Sequence, residues 1–205
     1  MNSDEVRRQW AERTGEYSPD YYAYHGPDER SEAVRRALDR SVGPEASVLE
    51  LGCSSGRHLS HLHGHGYGDL AGIEVNDDAF DVMAETYPAL AAEGTFYGDA
   101  IEDVVPEMDD GAFEAVYSVE TLQHLHPDVE WVFEELVRVT DDVLVTVENE
   151  GDADRSGASP PAVNYVRDDL PLYYRDWNRV FTDLGLVEVF ASEHQRDTVR
   201  VFRSP

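Results

Sequence analysis

Three carboxylates in this 205-residue chain fall at or just beyond the ends of short apolar runs. Glu50 lies in Val48-Leu49-Glu50-Leu51, Glu74 in Leu70-Ala71-Gly72-Ile73-Glu74-Val75, and Asp99 follows Thr95-Phe96-Tyr97-Gly98. A glycine-bounded turn, Gly52-Cys53-Ser54-Ser55-Gly56, comes directly after the first run. Glycine lets a backbone pass close to a ligand, and a helix that starts after such a turn aims its free N–H groups at it. Glu74 stands 22 residues beyond Gly52, a place from which a carboxylate accepts hydrogen bonds from both hydroxyls of a ribose. Asp99 has the chemistry to accept from an exocyclic amine, and Ile101 to lie against a flat ring. Together these groups describe a nucleoside pocket. Each is weak alone, because 43 residues are Asp or Glu and any tight strand-to-helix turn favours glycine. Their order along the chain carries the reading.

The histidines offer a second chemistry. His58, His61 and His65 sit at i, i+3 and i+7 with His63 between them, and imidazole is a common metal ligand. Gly64 and Gly66 end that helix before His65 can join the others, so no metal is expected. His124 and His126 follow a later apolar run. His124 is a candidate general base, since an ordinary imidazole titrates near about 6.5, and equally a candidate cap of a helix end. Glu120, four residues earlier, is placed to orient or deprotonate a substrate hydroxyl or amine. Glu148 and Glu150 are candidates for the same opening, and all three carboxylates are equally candidates for plain solvated surface.

Elements that place these groups alternate along the chain. Val34, Ala37 and Leu38 mark a helical face between Pro27 and Arg40, stopped by Gly43-Pro44. Strands follow at Ser47–Leu51, Leu70–Val75, Thr95–Tyr97, Phe113–Val119 and Val143–Val147, with helices after the first, second and fourth. The helix after the fourth starts at Pro127, with Val129, Val132, Phe133, Leu136 and Val137 on one face. Residues 151 to 166, rich in Gly, Asp, Ser and Pro, read as a mobile or substrate-facing loop. Tyr173, Tyr174, Trp177, Val180, Phe181 and Leu184 read as a helical stripe closed by Gly185. Val187–Ala191 and Val199–Phe202 are close enough for a hairpin. The expectation is a Rossmann-like α/β fold: a seven-stranded, mostly parallel sheet with helices on both faces and an antiparallel C-terminal hairpin. In an open parallel sheet the ligand lies beyond the carboxyl ends of the strands, where the candidate residues fall. One domain is expected over 1–205. Within it 1–45 form a helical cover, 46–150 the cofactor-binding half, and 151–205 the substrate side. Tyr17, Tyr21, Tyr22 and Tyr24 of the cover either close over a ligand, where their faces attract a cation, or pack on the sheet.

Charge restricts the partners. The formal charge is −27, from 43 acidic against 16 basic residues, and every basic residue is arginine. Such a chain repels itself in dilute buffer but not at about 1 M salt, where the Debye length is only about 3 Å. It reads as adapted to a salt-rich cytoplasm. An acidic surface argues against nucleic acid and anionic membranes, less strongly in a salt-adapted protein. The single cysteine, Cys53, excludes an intrachain disulfide and a multi-cysteine zinc site. Met1 to Arg8 carry no apolar leader, and no run approaches the roughly 18 apolar residues of a membrane span. A cytoplasmic protein is expected; oligomeric state is left open.

These motifs resemble those of class I S-adenosylmethionine-dependent methyltransferases, over roughly residues 46 to 203. Val48 to Gly56 is similar to the family's first motif, Gly72-Ile73-Glu74-Val75 to its acidic second-strand motif, and Gly98-Asp99-Ala100 to its adenine motif. Phe113 to Ser118 is similar to its fourth-strand motif, with Leu122-Gln123-His124-Leu125 resembling the small-molecule branch. The resemblance implies S-adenosylmethionine as cofactor. Glu50, Gly52, Cys53, Ser54 and Gly56 would hold its methionine end, Glu74 and Val75 the ribose, Asp99, Ala100 and Ile101 the adenine, with Ser118 alongside. It implies methyl transfer to a small molecule, with Glu120 and His124 as the catalytic candidates. Ser54 departs from the family, which often has glycine there.

Rival readings remain. A nicotinamide-dependent oxidoreductase needs G-x-G-x-x-G/A, but Ser54 and Arg57 stand at the second and third positions. A cofactor-binding partner subunit without catalysis has the same sequence features. An RNA methyltransferase is a further alternative, although Ser118-Val119-Glu120-Thr121 lacks the Asn/Asp-Pro-Pro-Tyr/Phe pattern of enzymes acting on exocyclic base amines.

Overall fold

A computed structural model describes residues 1–154, 160–166 and 170–205. Its centre is a seven-stranded sheet in the order β3-β2-β1-β4-β5-β9-β8. The strands are β1 (Ser47–Leu51), β2 (Asp69–Glu74), β3 (Thr95–Gly98), β4 (Phe113–Val119), β5 (Thr140–Glu148), β8 (Val187–His194) and β9 (Asp197–Arg203). β1 to β5 run parallel, and β9 enters antiparallel against β5, pairing Val145 with Val201. The expected fold class is the observed one. Strand order reverses between β1 and β4, so loops after these strands splay apart and open a crevice at their carboxyl ends.

Both sheet faces are covered. Val48, Tyr117 and Val145 face one core with Val34 and Leu38 of α3 (Glu29–Ser41), Leu59 and Leu62 of α4 (Arg57–Gly64), and Met83 of α5 (Asp78–Thr86). Leu49, Leu51, Val116 and Leu144 face the other, with Leu136 of α8 (Val132–Val139) and Trp177 and Phe181 of α9 (Trp177–Asp183). Burial on both faces explains why these strands read as continuous apolar runs. Before β1 lie α1 (Ser3–Ala11) and α2 (Pro19–His25), capped by Asn2 and Ser18. Two short helices, α6 (Pro88–Glu93) and α7 (Ile101–Val104), flank β3.

Three sequence expectations are corrected. Residues 162–166 are not loop: β6 (Ala162–Val166) pairs antiparallel with β7 (Leu170–Tyr174) in a separate two-stranded sheet. Residues 155–159 of the expected loop lie outside the described residues. Tyr173 and Tyr174 therefore belong to a strand. Helix α9 begins only at Trp177, where the Asp176 side chain accepts from the N–H of Arg179 at 3.2 Å; that N-cap fixes the start and leaves the tyrosines outside. Pro127 starts a single 3-10 turn through Val129, and the α-helix begins at Val132. Its buried stripe is Val132, Phe133, Leu136 and Val139, so Val129 is released towards the crevice. Among the described residues no helix is long and apolar enough to cross a membrane.

Candidate functional site

The β1–α4 turn forms the floor of a cavity of about 1080 Å³, its open mouth included. Gly52 and Gly56 take left-handed conformations, with φ of 66° and 79°. At Gly52 a Cβ would collide with the Thr121 side chain from the loop after β4, so close approach of two loops requires glycine. At Gly56 a Cβ would meet Met83 Cε at 2.9 Å, which makes this glycine a packing requirement under α5. Ser54 also has a left-handed backbone, φ 48°, at the position where the motif departs from glycine.

Of the expected residues, Gly52, Cys53, Ser54, Glu74, Val75, Asp99, Ala100, Ile101, Glu120 and His124 line this cavity. Glu50, Gly56 and Ser118 lie outside its wall. Glu50 is 1% exposed beneath the turn and accepts the Tyr117 hydroxyl at 2.9 Å. Burial pushes its pKa up to about 8, against the lowering effect of that bond. Ser118 donates its hydroxyl to Glu148. Neither Glu148 nor Glu150 lines the opening. Glu148 is fully buried, its pKa raised to about 7 by that burial, and Glu150 is paired with Arg200 at 2.6 Å.

Glu74 closes β2 with both oxygens in place. Oε2 accepts the Ser54 N–H at 2.8 Å and Oε1 the Asn76 N–H at 2.9 Å. Burial raises its pKa and these bonds oppose the rise. Each oxygen keeps a lone pair for a ligand hydroxyl. Asp99 is exposed at the end of β3, with Oδ1 accepting the Ala100 N–H at 2.8 Å. Glu120 stands in a left-handed backbone, φ 51°, ion-paired to Arg196 and 3.5 Å from Arg30 Nε.

His124 is not poised as a base near neutrality. Burial pulls its pKa down to about 4, which outweighs the bond from Nδ1 to the Pro171 carbonyl at 2.9 Å. The neutral ring donates through Nδ1 and carries its lone pair on Nε2, where Gln123 Nε2 makes a long 3.5 Å contact.

Several further residues of the wall were given no part in the pocket by the sequence. Arg57 is 8% exposed and faces the Tyr22 ring at 4.7 Å. Of its five N–H donors, one reaches an acceptor among the described residues, Asp28 Oδ2 at 3.3 Å. His58 is 4% exposed, with Nδ1 2.7 Å from Ser31 Oγ. Ser31 Oγ also accepts the Asp28 N–H at 3.1 Å. Asn76 roofs the cavity by donating Nδ2 to the carbonyls of Trp10 and Arg13, 3.3 and 3.2 Å away. Arg57 and His58 stand in the first helical turn after Gly56, and Asn76 is the second residue after Glu74, so nearness to the motif residues is the one signal for them. From the cover, Tyr17 and Tyr22 reach the cavity, whereas Tyr24 is 88% exposed.

The other histidines are placed differently from the expectation for His65. His61 contacts Glu32 at 3.2 Å, one residue after the Ser31 that holds His58, and its ring lies 4.4 Å from that of His65, so the glycines that end the helix do not keep His65 apart; His63 contacts Glu93 at 2.8 Å. Among the described residues no group of three or more His, Cys, Asp or Glu side chains has metal-binding geometry.

Comparisons with known proteins fall on the same region. The family model of a methyltransferase domain matches residues 48–142, from β1 to the start of β5. A bifunctional methyltransferase/kinase that terminates O-antigen chains in Escherichia coli is 30% identical over 91 residues, 43% of this chain and 12% of that protein. The O-methyltransferase cnsE of Penicillium expansum is 23% identical over 111 residues, 51% of this chain and 40% of that protein. The chain thus spans well under half the length of the curated relatives it matches. Among solved structures, the 1,6-didemethyltoxoflavin-N1-methyltransferase of Burkholderia thailandensis, with S-adenosylhomocysteine bound, superposes with a TM-score of 0.66. That match covers 85% of this chain and 76% of the other at 15% identity. The architecture is that of the S-adenosylmethionine-dependent methyltransferases.

Proposed function

We propose that the protein is an enzyme that transfers a methyl group from S-adenosylmethionine to a small-molecule acceptor. The observation that carries this reading is the convergence of Glu74, Asp99 and the Gly52–Ser54 turn on one crevice at the strand-order reversal. The residues present fit the cofactor. Glu74 accepts from the ribose hydroxyls, Asp99 from the adenine amine, and Ile101 lies against the ring. Arg57 brings N–H groups without a partner among the described residues to the same wall, and would donate them to the amino-acid carboxylate. Glu50 supports the turn from beneath. When bound, the cofactor supplies an electrophilic methyl group on a sulfonium, so no covalent enzyme nucleophile is needed.

The chain's own task is alignment and exclusion of water. Trp10 and His124 meet edge to face at 4.6 Å across the cavity and narrow it. His124 offers Nε2 as a hydrogen-bond acceptor that orients a hydroxyl or amine. Glu120, held by Arg30 and Arg196, is the better candidate to take that group's proton. Both groups accept hydrogen bonds, so they select an acceptor that donates one.

The chain 1–205 acts as one domain in this reading. Its −27 charge and lack of lysine support adaptation to concentrated salt, a cytoplasmic setting and a substrate other than nucleic acid. Calorimetry with S-adenosylhomocysteine in molar salt, followed by labelled-methyl transfer to a metabolite extract, tests the proposal. Binding with transfer is expected. Binding without transfer indicates a non-catalytic cofactor-binding subunit, and no binding rejects the reading.

A further inference from the structure

His124 closes a short turn, Leu122–His124, that hangs over the cavity between β4 and α8. The turn is gripped at both ends. At its start the Glu148 carboxylate accepts the N–H groups of Thr121, Leu122 and Gln123 at 3.2, 3.1 and 3.2 Å. At its end the guanidinium of Arg175, directly after β7, donates Nη1 to the Leu122 carbonyl at 3.5 Å and Nη2 to the Leu125 carbonyl at 2.8 Å. Its Nε donates to Glu130 at 2.9 Å. Arg175 is 4% exposed, and the rings of Phe133, Tyr173 and Trp177 stand 5.4, 5.5 and 5.7 Å from it. Packing therefore fixes the fork in one orientation. Earlier on the same strand, the Pro171 carbonyl takes the Nδ1–H of His124.

We propose that Arg175 is a positioning residue for His124. The two carbonyls it holds bracket His124 in sequence, so they set the direction of its Cα–Cβ bond. The neighbouring Pro171 carbonyl then selects the ring tautomer whose Nε2 lone pair meets the methyl acceptor. In water the neutral ring prefers its proton on Nε2, so this tautomer is imposed by β7. The tight tolerance of methyl transfer gives the grip its purpose, since a displacement of about 1 Å is enough to lower a rate by about a hundredfold. The inference rests on the reading of His124 as a contact to the acceptor.

The test uses the full chain with 15N-labelled histidine, as wild type, Arg175→Lys and Arg175→Met. In wild type, His124 is expected to show a protonated Nδ1 and an unprotonated Nε2 from pH 8 down to 5.5. In Arg175→Met the two nitrogen signals are expected to move towards each other as the tautomers mix. Labelled-methyl transfer to a metabolite extract falls at least tenfold, while affinity for S-adenosylhomocysteine stays within twofold. Lysine keeps the cation beside Glu130 and one carbonyl bond, so it restores part of both signals and transfer. Unchanged His124 signals in a folded variant overturn the proposal, as does a parallel loss of transfer and cofactor affinity. Should the methionine variant fail to fold, Arg175→Lys alone decides: shifted ring signals support the grip and unchanged ones overturn it. A wild type that binds no S-adenosylhomocysteine defeats the methyltransferase reading instead, while the ring signals still report on Arg175.

Discussion

The backbone N–H of Ser54 donates to Oε2 of Glu74 at 2.8 Å, which joins the turn after β1 to the end of β2. Ser54 has the left-handed φ of 48° that the turn demands, and a non-glycine residue holds it at a cost of about 1–2 kcal/mol. The Glu74 carboxylate offsets that cost and stays available to a ligand.

Glu74→Ala removes the proposed ribose acceptor and the anchor of Ser54 together. Affinity for S-adenosylhomocysteine is expected to fall by about 1.5–3 kcal/mol, the range for a hydrogen bond to a charged group. Calorimetry at fixed salt measures this, and an unchanged dissociation constant removes Glu74 from the ribose site.

Arg57→Gln separates the two ends of the bound nucleoside. With Arg57 as the proposed partner of the amino-acid carboxylate, the variant should bind S-adenosylhomocysteine about tenfold or more weakly, in line with a loss of about 1.5–3 kcal/mol. 5′-Methylthioadenosine lacks the amino-acid portion, and its affinity should not change. Equal losses for both ligands would mean that Arg57 supports the turn and does not read the carboxylate.

The parallel strands and their ligand-facing ends were legible because a strand buried on both faces leaves an uninterrupted apolar run, and the glycines at 52 and 56 end the first one. The C-terminal hairpin was legible from its short polar connection. β6 and β7 were not. Tyr173, Tyr174 and Trp177 match a helical spacing, and only the Asp176 cap, a single side chain, separates strand from helix. Motif likeness also named Glu50 and Ser118 as ligand contacts, although both side chains turn to partners inside the protein, Tyr117 and Glu148. Side-chain direction at a strand end depends on what the neighbouring strand offers, and no local pattern carries that. The place of Arg57 and His58 on the cavity wall was not legible for the opposite reason. An arginine and a histidine early in a polar helix look like surface until tertiary packing turns that first turn towards the cavity.

Salt should govern stability more than in an ordinary α/β protein. The 27 excess negative charges repel over about 10 Å at 0.1 M ionic strength and over about 3 Å at 1 M. Lowering salt from about 2 M to about 0.1 M is expected to reduce the melting temperature by about 10 °C or more, an order-of-magnitude expectation for a loss of several kcal/mol in a chain of this length. Calorimetric scans across that range check it. A salt-independent melting temperature contradicts adaptation to concentrated salt.

Glu50 gives the free protein a pH dependence of definite sign. Its carboxyl titrates at about 8 when folded and at 4.5 when unexposed to the fold, because burial penalises the ionised form. Below pH 4.5 both states hold the proton and the group is neutral to stability. Between pH 4.5 and 8 the folded state binds more protons than the unfolded one, so stability falls as pH rises and levels off above 8. The loss is of the order of a few kcal/mol. Glu50→Gln has no charge to bury and escapes this loss. Its melting temperature relative to wild type should therefore rise steadily between about pH 5 and pH 8 and then stay level. A constant difference across that range would show that Glu50 is solvated or paired with a cation in the folded protein.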